Sequence, residues 1–296
     1  MIERIFRLLI RIPRLFPLVR IQQLGRGLGL IGYWLVKNRR KIALDNLDLA
    51  YGDSLTEKEK IAIAKSSFQN LVTMGLEVCY SPALPRQTEG YIKTINCEGY
   101  LQLYELGKGL LVLVPHMGSW EVVARVTLEN GVLAHAVVRT QKQPWVTRIM
   151  KEIREANGLQ VIYKEHALKP VISVLKGGGV VYMLIDQHAR REAVVTQFFN
   201  RPAMTVASAA LIAGRTKCSV MVGCPFRCPD GGMGLEFTEE IKITESGNTE
   251  LDLQQNTQRF VDVMERYVRK YPGSWMWMHR RWRNQPESHK VGASDD

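Results

Sequence analysis

The sequence predicts an α/β fold in which a mostly parallel central sheet is flanked by helices and preceded by a helical, basic N-terminal region. Two observations support this fold class. From Gly109 onward, short apolar runs alternate with polar segments of helix length, a pattern typical of βαβ units. Residues 1–85 instead show helical periodicity. We therefore expect a helical region over residues 1–85 and an α/β part over residues 86–296, joined in one continuous fold.

The strands are predicted from five apolar runs, which lie at residues 110–114, 134–138, 159–163, 180–185 and 219–223. Runs without polar alternation are typical of strands that are buried on both faces of a parallel sheet. A further strand is expected within residues 235–243, at an edge of the sheet, followed by a long amphipathic helix over residues 249–270. Nearer the N-terminus, Ser54 and Glu57 have the spacing of a helix capping box.

The net charge of +11 is concentrated at the N-terminus, because residues 1–41 contain ten basic residues and one acidic residue. A polybasic end indicates an anionic partner, which is a membrane, a nucleic acid or an acidic protein. The chain lacks a zinc-finger pattern and an RRM motif, so nucleic-acid binding without catalysis is the weaker alternative and we expect no nucleic acid.

The first sixteen residues form an amphipathic segment. Its basic face has spacings of three and four, and its apolar face is filled by Ile5, Leu8, Leu9, Ile12, Leu15 and Phe16. The basic face consists of Arg4, Arg7, Arg11 and Arg14. Such a segment is expected to lie in the interface of an anionic membrane, and no stretch approaches the roughly 20 apolar residues that a spanning helix needs. Alternatively, residues 1–36 pack on the core of the protein itself.

Cysteine usage and the absence of known motifs exclude several kinds of site. The five cysteines are an odd number with no secretory peptide ahead of them, so we expect a reducing compartment and no export. The segment from Cys218 to Cys228 lacks a CxxC pair and is predicted to be a strand. The chain contains neither a GxSxG nor an HExxH motif. We expect no metal and no cofactor.

Candidate catalytic residues lie where the predicted strands end. His116 and Glu121 bracket the turn between a strand and a helix, while Arg139 and Asp186 follow other strands. Because parallel strands end at the same edge of a sheet, we expect these side chains to gather there. Each also has an ordinary structural explanation: the histidine closes a turn, Glu121 caps a helix, and Asp186 caps a loop.

A histidine without a recognised serine or cysteine nucleophile indicates a general base that acts on a hydroxyl of the substrate. In this hypothesis Glu121 binds one ring nitrogen of His116 and stabilises the imidazolium. An arginine nearby stabilises an oxyanion or holds an anionic headgroup.

The motif "PHMGSWE" resembles the H-x4-D/E motif of the glycerolipid and lipid A acyltransferases. Four further stretches resemble the late acyltransferases of lipid A biosynthesis, in the same order along nearly the whole chain. These are "NRRKIALDNLDLAYGD" with "GLEVCY", "VVRTQKQPWVTRIMKEIREANG", "DQHARREAVVTQFFNRPAMT" and "WMWMHRRWRNQP".

The resemblance implies a glycerolipid acyltransferase-like fold and assigns catalytic importance to His116, Glu121, Arg154 and Asp186. Arg154 has the alternative of being an ordinary solvated helix arginine. Residues implied to contact the substrate are Ser119, Trp120, Arg139 and Arg281. The aromatic and basic segment around Arg281 either lies at a headgroup layer or closes the core, and we favour core closure.

The resemblance also implies the partners. The acyl donor is an acyl carrier protein, an acidic partner that suits the basic balance of the chain. The acceptor is a hydroxyl of a lipid A precursor or, alternatively, of another membrane glycolipid or aminolipid. The expected location is the cytoplasmic face of the inner membrane. The first helix of the family is often apolar enough to span the membrane, whereas the arginine-rich N-terminal segment of this chain predicts a peripheral or monotopic protein.

Overall fold

The computed structural model describes residues 2–85, 87, 90–122 and 124–283. Its α-helices are α1 (Ile2–Leu9), α2 (Leu18–Leu35), α3 (Lys37–Tyr51), α4 (Glu57–Tyr80), α5 (Cys97–Glu105), α6 (Arg125–Glu129), α7 (Pro144–Ala156), α8 (Leu168–Lys176), α9 (Ser208–Thr216) and α10 (Thr249–Lys270). Its strands are β1 (Ile92–Ile95), β2 (Leu110–Leu113), β3 (Ala134–Val138), β4 (Leu159–Tyr163), β5 (Val180–Met183), β6 (Ala193–Phe198), β7 (Arg201–Val206), β8 (Ser219–Arg227) and β9 (Met233–Phe237). The predicted ends of the α/β part, residues 86 and 296, lie outside the described residues.

The central sheet has seven strands in the order β1-β9-β8-β2-β5-β3-β4, and the predicted α/β class is confirmed. Strands β2, β3, β4, β5 and β8 are parallel to their neighbours within this group. All five predicted runs form strands of this group. The strand β9 is antiparallel to β8 and also pairs with β1, so the prediction that it forms an edge is wrong. The strand β1 covers that position.

Helices cover both faces of the sheet, as expected for buried parallel strands. Alternate residues of β2 point to opposite faces: Leu110 and Val112 pack with α4, α5, α6 and α7, whereas Leu111 and Leu113 pack with α8, α9 and α10. The strands β2 and β5 are buried along their whole length. Burial on both faces explains why their sequences are continuously apolar.

The N-terminal helices pack against the α/β part through α4, whose residues Met74 and Val78 belong to the same core cluster as the strands. The helix α2 lies very close to α4, because a Cβ atom added at Gly29 would meet Gln69 Cα at 2.4 Å. The helix α4 begins with a capping box formed by Thr56 and Glu59. The capping box predicted at Ser54 and Glu57 is therefore displaced by two residues.

The amphipathic N-terminal segment has its apolar face exposed. Of the 21 large apolar side chains exposed among the described residues, fifteen lie between Ile2 and Val36, on α1, α2 and the segments beside them. The opposite face contacts the protein: Arg7 forms ion pairs with Glu3 and Glu152, and Arg14 donates a hydrogen bond to the Cys79 carbonyl. Arg7 and Arg14 are therefore not free for lipid headgroups, in contrast to the expectation for all four arginines. Over the described parts of the chain, no helix is long and apolar enough to cross a membrane.

The aromatic segment near the C-terminus closes the core, which confirms the favoured alternative. Trp275, Trp277 and Trp282 are buried in a cluster shared with α2, α3, α4, α10 and the β6–β7 hairpin. A short antiparallel bridge joins Trp275 to Met117, directly beside His116. The C-terminal segment thus forms one wall of the region where β2 and β5 end.

Candidate active site

His116 and Asp186 meet because β2 and β5 are neighbours in the sheet. Leu113 is paired in register with Met183, and each of the two polar residues lies three positions beyond its strand. The His116 ring nitrogen Nδ1 lies 2.6 Å from Asp186 Oδ1, and the His116 backbone N–H donates to Oδ2 at 2.8 Å. The sheet topology therefore fixes both the ring and the backbone of His116 against one carboxylate.

The Asp186 carboxylate is almost completely buried and is held in its charged form. Burial alone would raise its pKa, but the charge of His116 and hydrogen bonds from His116 and the Trp275 indole N–H, the latter at 2.8 Å, lower the pKa of Asp186 to about 2. A carboxylate only accepts hydrogen bonds, so Nδ1 of His116 must be the protonated ring nitrogen. In the neutral imidazole the lone pair is therefore on Nε2.

Glu121 binds Arg154, so the prediction that Glu121 holds the imidazole ring is wrong. The Arg154 guanidinium donates from Nε and Nη2 to the two carboxylate oxygens at 2.8 and 2.6 Å. Burial opposes the charge on Arg154, but the hydrogen bond and charge of Glu121 raise the pKa of the guanidinium. The structure brings all four predicted catalytic residues into two pairs, and Asp186 takes the position expected for Glu121 because its strand is adjacent to that of His116.

The four residues predicted to contact substrate have different environments. Trp120 is half-buried and lies edge-on to the His116 ring, with 5.2 Å between the ring centroids. Arg139 directly follows β3 and is exposed. Ser119 is completely buried and donates a hydrogen bond to Glu77 at 2.7 Å, which leaves it no surface for a substrate.

Arg281 is buried as well, with 1% of its surface exposed. Its guanidinium donates to the Met204 carbonyl at 2.7 Å and to Thr205 Oγ1 at 2.6 Å, and burial lowers its pKa to about 10. These contacts tie the C-terminal segment to β7. Direct contact between Arg281 and a substrate, as the resemblance implied, does not agree with this burial.

Two residues of the C-terminal segment lie beside the His116–Asp186 pair: Trp275, which sequence reasoning did not link to Asp186, and His279, which the resemblance implicated only weakly. Trp275 is the indole donor to Asp186, and only its place in an aromatic segment could have indicated it. His279 accepts a hydrogen bond at Nε2 from the His188 backbone N–H at 3.1 Å. Burial, together with nearby positive charge, lowers the pKa of His279 to about 4, so this ring stays neutral near pH 7.

The arrangement is suited to removing a proton from a hydroxyl group. The His116 side chain is 18% exposed, and its Nδ1 is bound to Asp186, so Nε2 is the nitrogen left to act as a base. The buried carboxylate stabilises the imidazolium that forms when the base takes up a proton. Within the described ranges, no group of three or more His, Cys, Asp or Glu side chains is placed to hold a metal ion.

Comparison with known proteins identifies similar sequences among bacterial acyltransferases. The model of the bacterial lipid A biosynthesis acyltransferase family matches residues 5–284. The lipid A biosynthesis lauroyltransferase of Escherichia coli is 26% identical over 92% of this chain and 88% of its own length. A lipid A biosynthesis acyltransferase of Haemophilus influenzae is 26% identical over 96% of this chain and 89% of its own length. A phosphatidylinositol mannoside acyltransferase of Mycolicibacterium smegmatis is 24% identical over 64% of this chain and 62% of its own length.

Proposed function

Because this chain belongs to the bacterial lipid A biosynthesis acyltransferase family, and so is an acyl-transferring enzyme that acts late in lipid A acylation, we propose that its donor is an acyl carrier protein. In this proposal the fatty acyl chain passes from the carrier thioester to a hydroxyl of a lipid A precursor at the inner membrane. The observation that supports this chemistry best is the His116 imidazole, bound at Nδ1 to a buried carboxylate and left with Nε2 as the base.

The reaction proceeds by general base catalysis. Nε2 of His116 takes the proton of the acceptor hydroxyl while that oxygen attacks the thioester carbonyl carbon. The imidazolium is stabilised by the Asp186 carboxylate, whose low pKa keeps it ionised throughout. When the tetrahedral intermediate collapses, the carbon–sulfur bond breaks, and the imidazolium returns the proton to the departing thiolate. The products are the acyl ester and the free carrier thiol.

Glu121 and Arg154 act as a pair at the other end of the loop that carries His116. Both oxygens of Glu121 are bound by one guanidinium, which fixes the carboxylate rigidly. The pair therefore fixes the end of the loop in place. Trp120, one residue before Glu121, provides an apolar wall against the His116 ring.

The charge balance supports the choice of an acidic carrier as the donor. The net charge of +11 favours association with an acidic protein over association with a basic one. Arg139 is exposed immediately after β3, at the edge where the strands β2 and β5 also end. It is a candidate contact for an anionic group of either substrate.

The exposed apolar face of α1 and α2 supports a location at the surface of the inner membrane. Leu24, Leu28 and Ile31 lie about one turn apart on α2, and all three are exposed. A contiguous apolar surface of this kind is typical of helices that lie in a membrane interface. Arg4 and Arg11 are exposed, and the structure gives neither an ion pair with a described acidic residue, so they remain available to anionic headgroups.

The test is acyl transfer by the purified protein. Wild type is expected to use an acyl carrier protein thioester in preference to acyl-coenzyme A, with mass spectrometry of the lipid product reporting the acyl group added. His116→Ala should lower kcat by about 10² to 10⁴ without loss of the fold, the usual contribution of a positioned base. His166→Ala, which removes an exposed histidine, is the matched control. Normal kcat in His116→Ala would refute the mechanism.

A second acceptor is suggested by one relative. The phosphatidylinositol mannoside acyltransferase shows that a similar sequence is used by an enzyme named for a mannoside lipid. Lipid mass spectrometry of cells with and without the gene separates the two acceptors. Acylation of a mannoside lipid with unchanged lipid A would replace the proposed acceptor while leaving the chemistry of His116 in place.

A further inference from the structure

Glu77 is a buried carboxylate that the proposed reaction does not use. Its side chain has no exposed surface and lies on α4, below the loop that connects β2 to α6. Arg227, from β8, donates to both of its oxygens at 2.6 and 3.0 Å. Gln22, from α2, donates to Oε1 at 2.8 Å, and Ser119 donates to Oε2 at 2.7 Å. Four hydrogen bonds from three other parts of the chain therefore meet on one side chain.

A buried ion pair of this kind is poor evidence for stability, because desolvation offsets most of the attraction between the charges. A buried, fully hydrogen-bonded ion pair is better suited to holding the groups around it in one fixed arrangement. In this case the group that gains a fixed position is Ser119, which lies between His116 and Glu121 in the same loop. The hydroxyl has no exposed surface and therefore cannot serve the substrate directly.

The same network also holds the backbone of the loop. Asn70 donates to the Gly118 carbonyl at 3.2 Å, and its own carbonyl oxygen accepts from Arg227 at 3.0 and 3.2 Å. Gly118 has a φ of +50° and lies so close to β8 that an added Cβ would approach the Phe226 nitrogen at 2.7 Å. The loop is thus pressed against β8 and cannot shift without breaking these contacts.

We propose that Glu77 is a positioning residue for the reaction: its carboxylate, fixed by Arg227, holds Ser119 and thereby sets the separation and orientation of His116 and Glu121. The inference rests on the proposed function, because it assigns Glu77 to the loop that carries the base. A displacement of about 1 Å at a reacting group is sufficient to lower a rate by about 10²-fold.

The test removes the hydroxyl that the network holds. Ser119→Ala leaves the Glu77–Arg227 pair complete, so we expect a folded protein in which kcat is lowered about 10- to 100-fold and KM is unchanged. Thr127→Val is the matched control, since it removes another completely buried hydroxyl that bonds only within its own turn. Glu77→Gln should lower kcat as well, and the double variant Glu77→Gln with Ser119→Ala should be little worse than either single variant.

A second readout does not depend on turnover. The short bond between His116 Nδ1–H and Asp186 is expected to give a strongly downfield proton resonance, which Ser119→Ala should shift or broaden and Thr127→Val should leave in place. An unchanged resonance together with kcat within about threefold of wild type would overturn the positioning role. Failure of both Ser119→Ala and Glu77→Gln to fold would overturn it too, because the network would then be a folding requirement. Inactive wild type with an intact, Ser119-dependent resonance would count against the proposed function alone.

Discussion

Replacement of Asp186 by Asn tests the most specific feature of the site, the division of its two carboxylate oxygens between three donors. Oδ1 faces Nδ1 of His116, and Oδ2 faces both the His116 backbone N–H and the Trp275 indole N–H. An asparagine has the same shape but offers one acceptor oxygen and one NH₂ donor. One side of the carboxamide must therefore face a group with which it does not match.

The size of the expected loss of kcat depends on which way the carboxamide of the asparagine is oriented. If the carboxamide oxygen faces the His116 backbone N–H and the Trp275 indole N–H, it keeps both of these hydrogen bonds. The NH₂ group of the carboxamide then faces Nδ1 of His116. The imidazole then accepts at Nδ1 and carries its proton on Nε2, so it can no longer act as the base in its neutral form. We expect kcat to fall by about 10² to 10⁴, while the free energy of unfolding falls by about 1–3 kcal/mol.

The assay is acyl transfer from the carrier thioester at saturating substrates, with thermal unfolding followed by circular dichroism. Asp45→Asn is the matched control, because Asp45 is exposed and, among the residues that the structure describes, forms an ion pair only with Lys41, one turn away. Asp186→Asn with a kcat within about tenfold of wild type would show that the tautomer of His116 is not set by this carboxylate, and the assignment of the base would fail with it.

Two further predictions concern the membrane and pH. A triple variant that combines Leu24→Gln, Leu28→Gln and Ile31→Gln should be released from anionic vesicles in flotation assays, because burial of each apolar side chain in the membrane contributes about 1–2 kcal/mol. The control variant Leu251→Gln, which changes an exposed leucine elsewhere, should stay bound. Retention of the triple variant on the vesicles would place the membrane anchor elsewhere. The free energy of unfolding by urea should decrease as pH falls from about 6.5 toward about 4, because the unfolded chain protonates His279 while the folded one keeps it neutral. It should decrease further toward pH 2, as the pKa of Asp186 is also lower in the folded protein. His279→Gln should reduce the decrease in the free energy of unfolding between about pH 6.5 and about pH 4. The same pH dependence in His279→Gln as in wild type would contradict the assignment of this decrease to His279.

The strands that could be predicted are those buried on both faces, because continuous burial leaves a continuous apolar run. The strand β1 was missed since Ile92 is its only buried residue, which gives "IKTI" no clear pattern. The hairpin of β6 and β7 was missed for a similar reason, as β6 is half-exposed along much of its length. Its two-residue turn places Phe199 and Asn200 at positive φ, which a phenylalanine does not indicate.

The positions of the candidate residues at the strand ends could be predicted, but their pairing could not. His116 and Asp186 both follow strand ends, which the sequence does indicate. That β5 lies beside β2, with β3 and β4 on its far side, is a property of the sheet order and leaves no trace in local sequence. The shared offset of three residues from each strand end is the signal that could have linked His116 to Asp186 once the two strands were known to be neighbours.

The close contact at Gly29 has a consequence for how the N-terminal helices respond to their surroundings. Helix association driven by the hydrophobic effect weakens when lipid replaces water, because hydrocarbon solvates an apolar side chain as well as another helix does. Small residues that bring two backbones together are held by dispersion forces, which operate equally in both solvents. The helix α2 meets α4 partly in this second way, with Gly25 and Gly29 against Thr73 and Gln69, and partly through the aromatic contact between Tyr33 and Phe68. We therefore expect the glycine contacts to be kept whether water or lipid lies on the outer side of α2, so that Gln22 stays in place to bind Glu77.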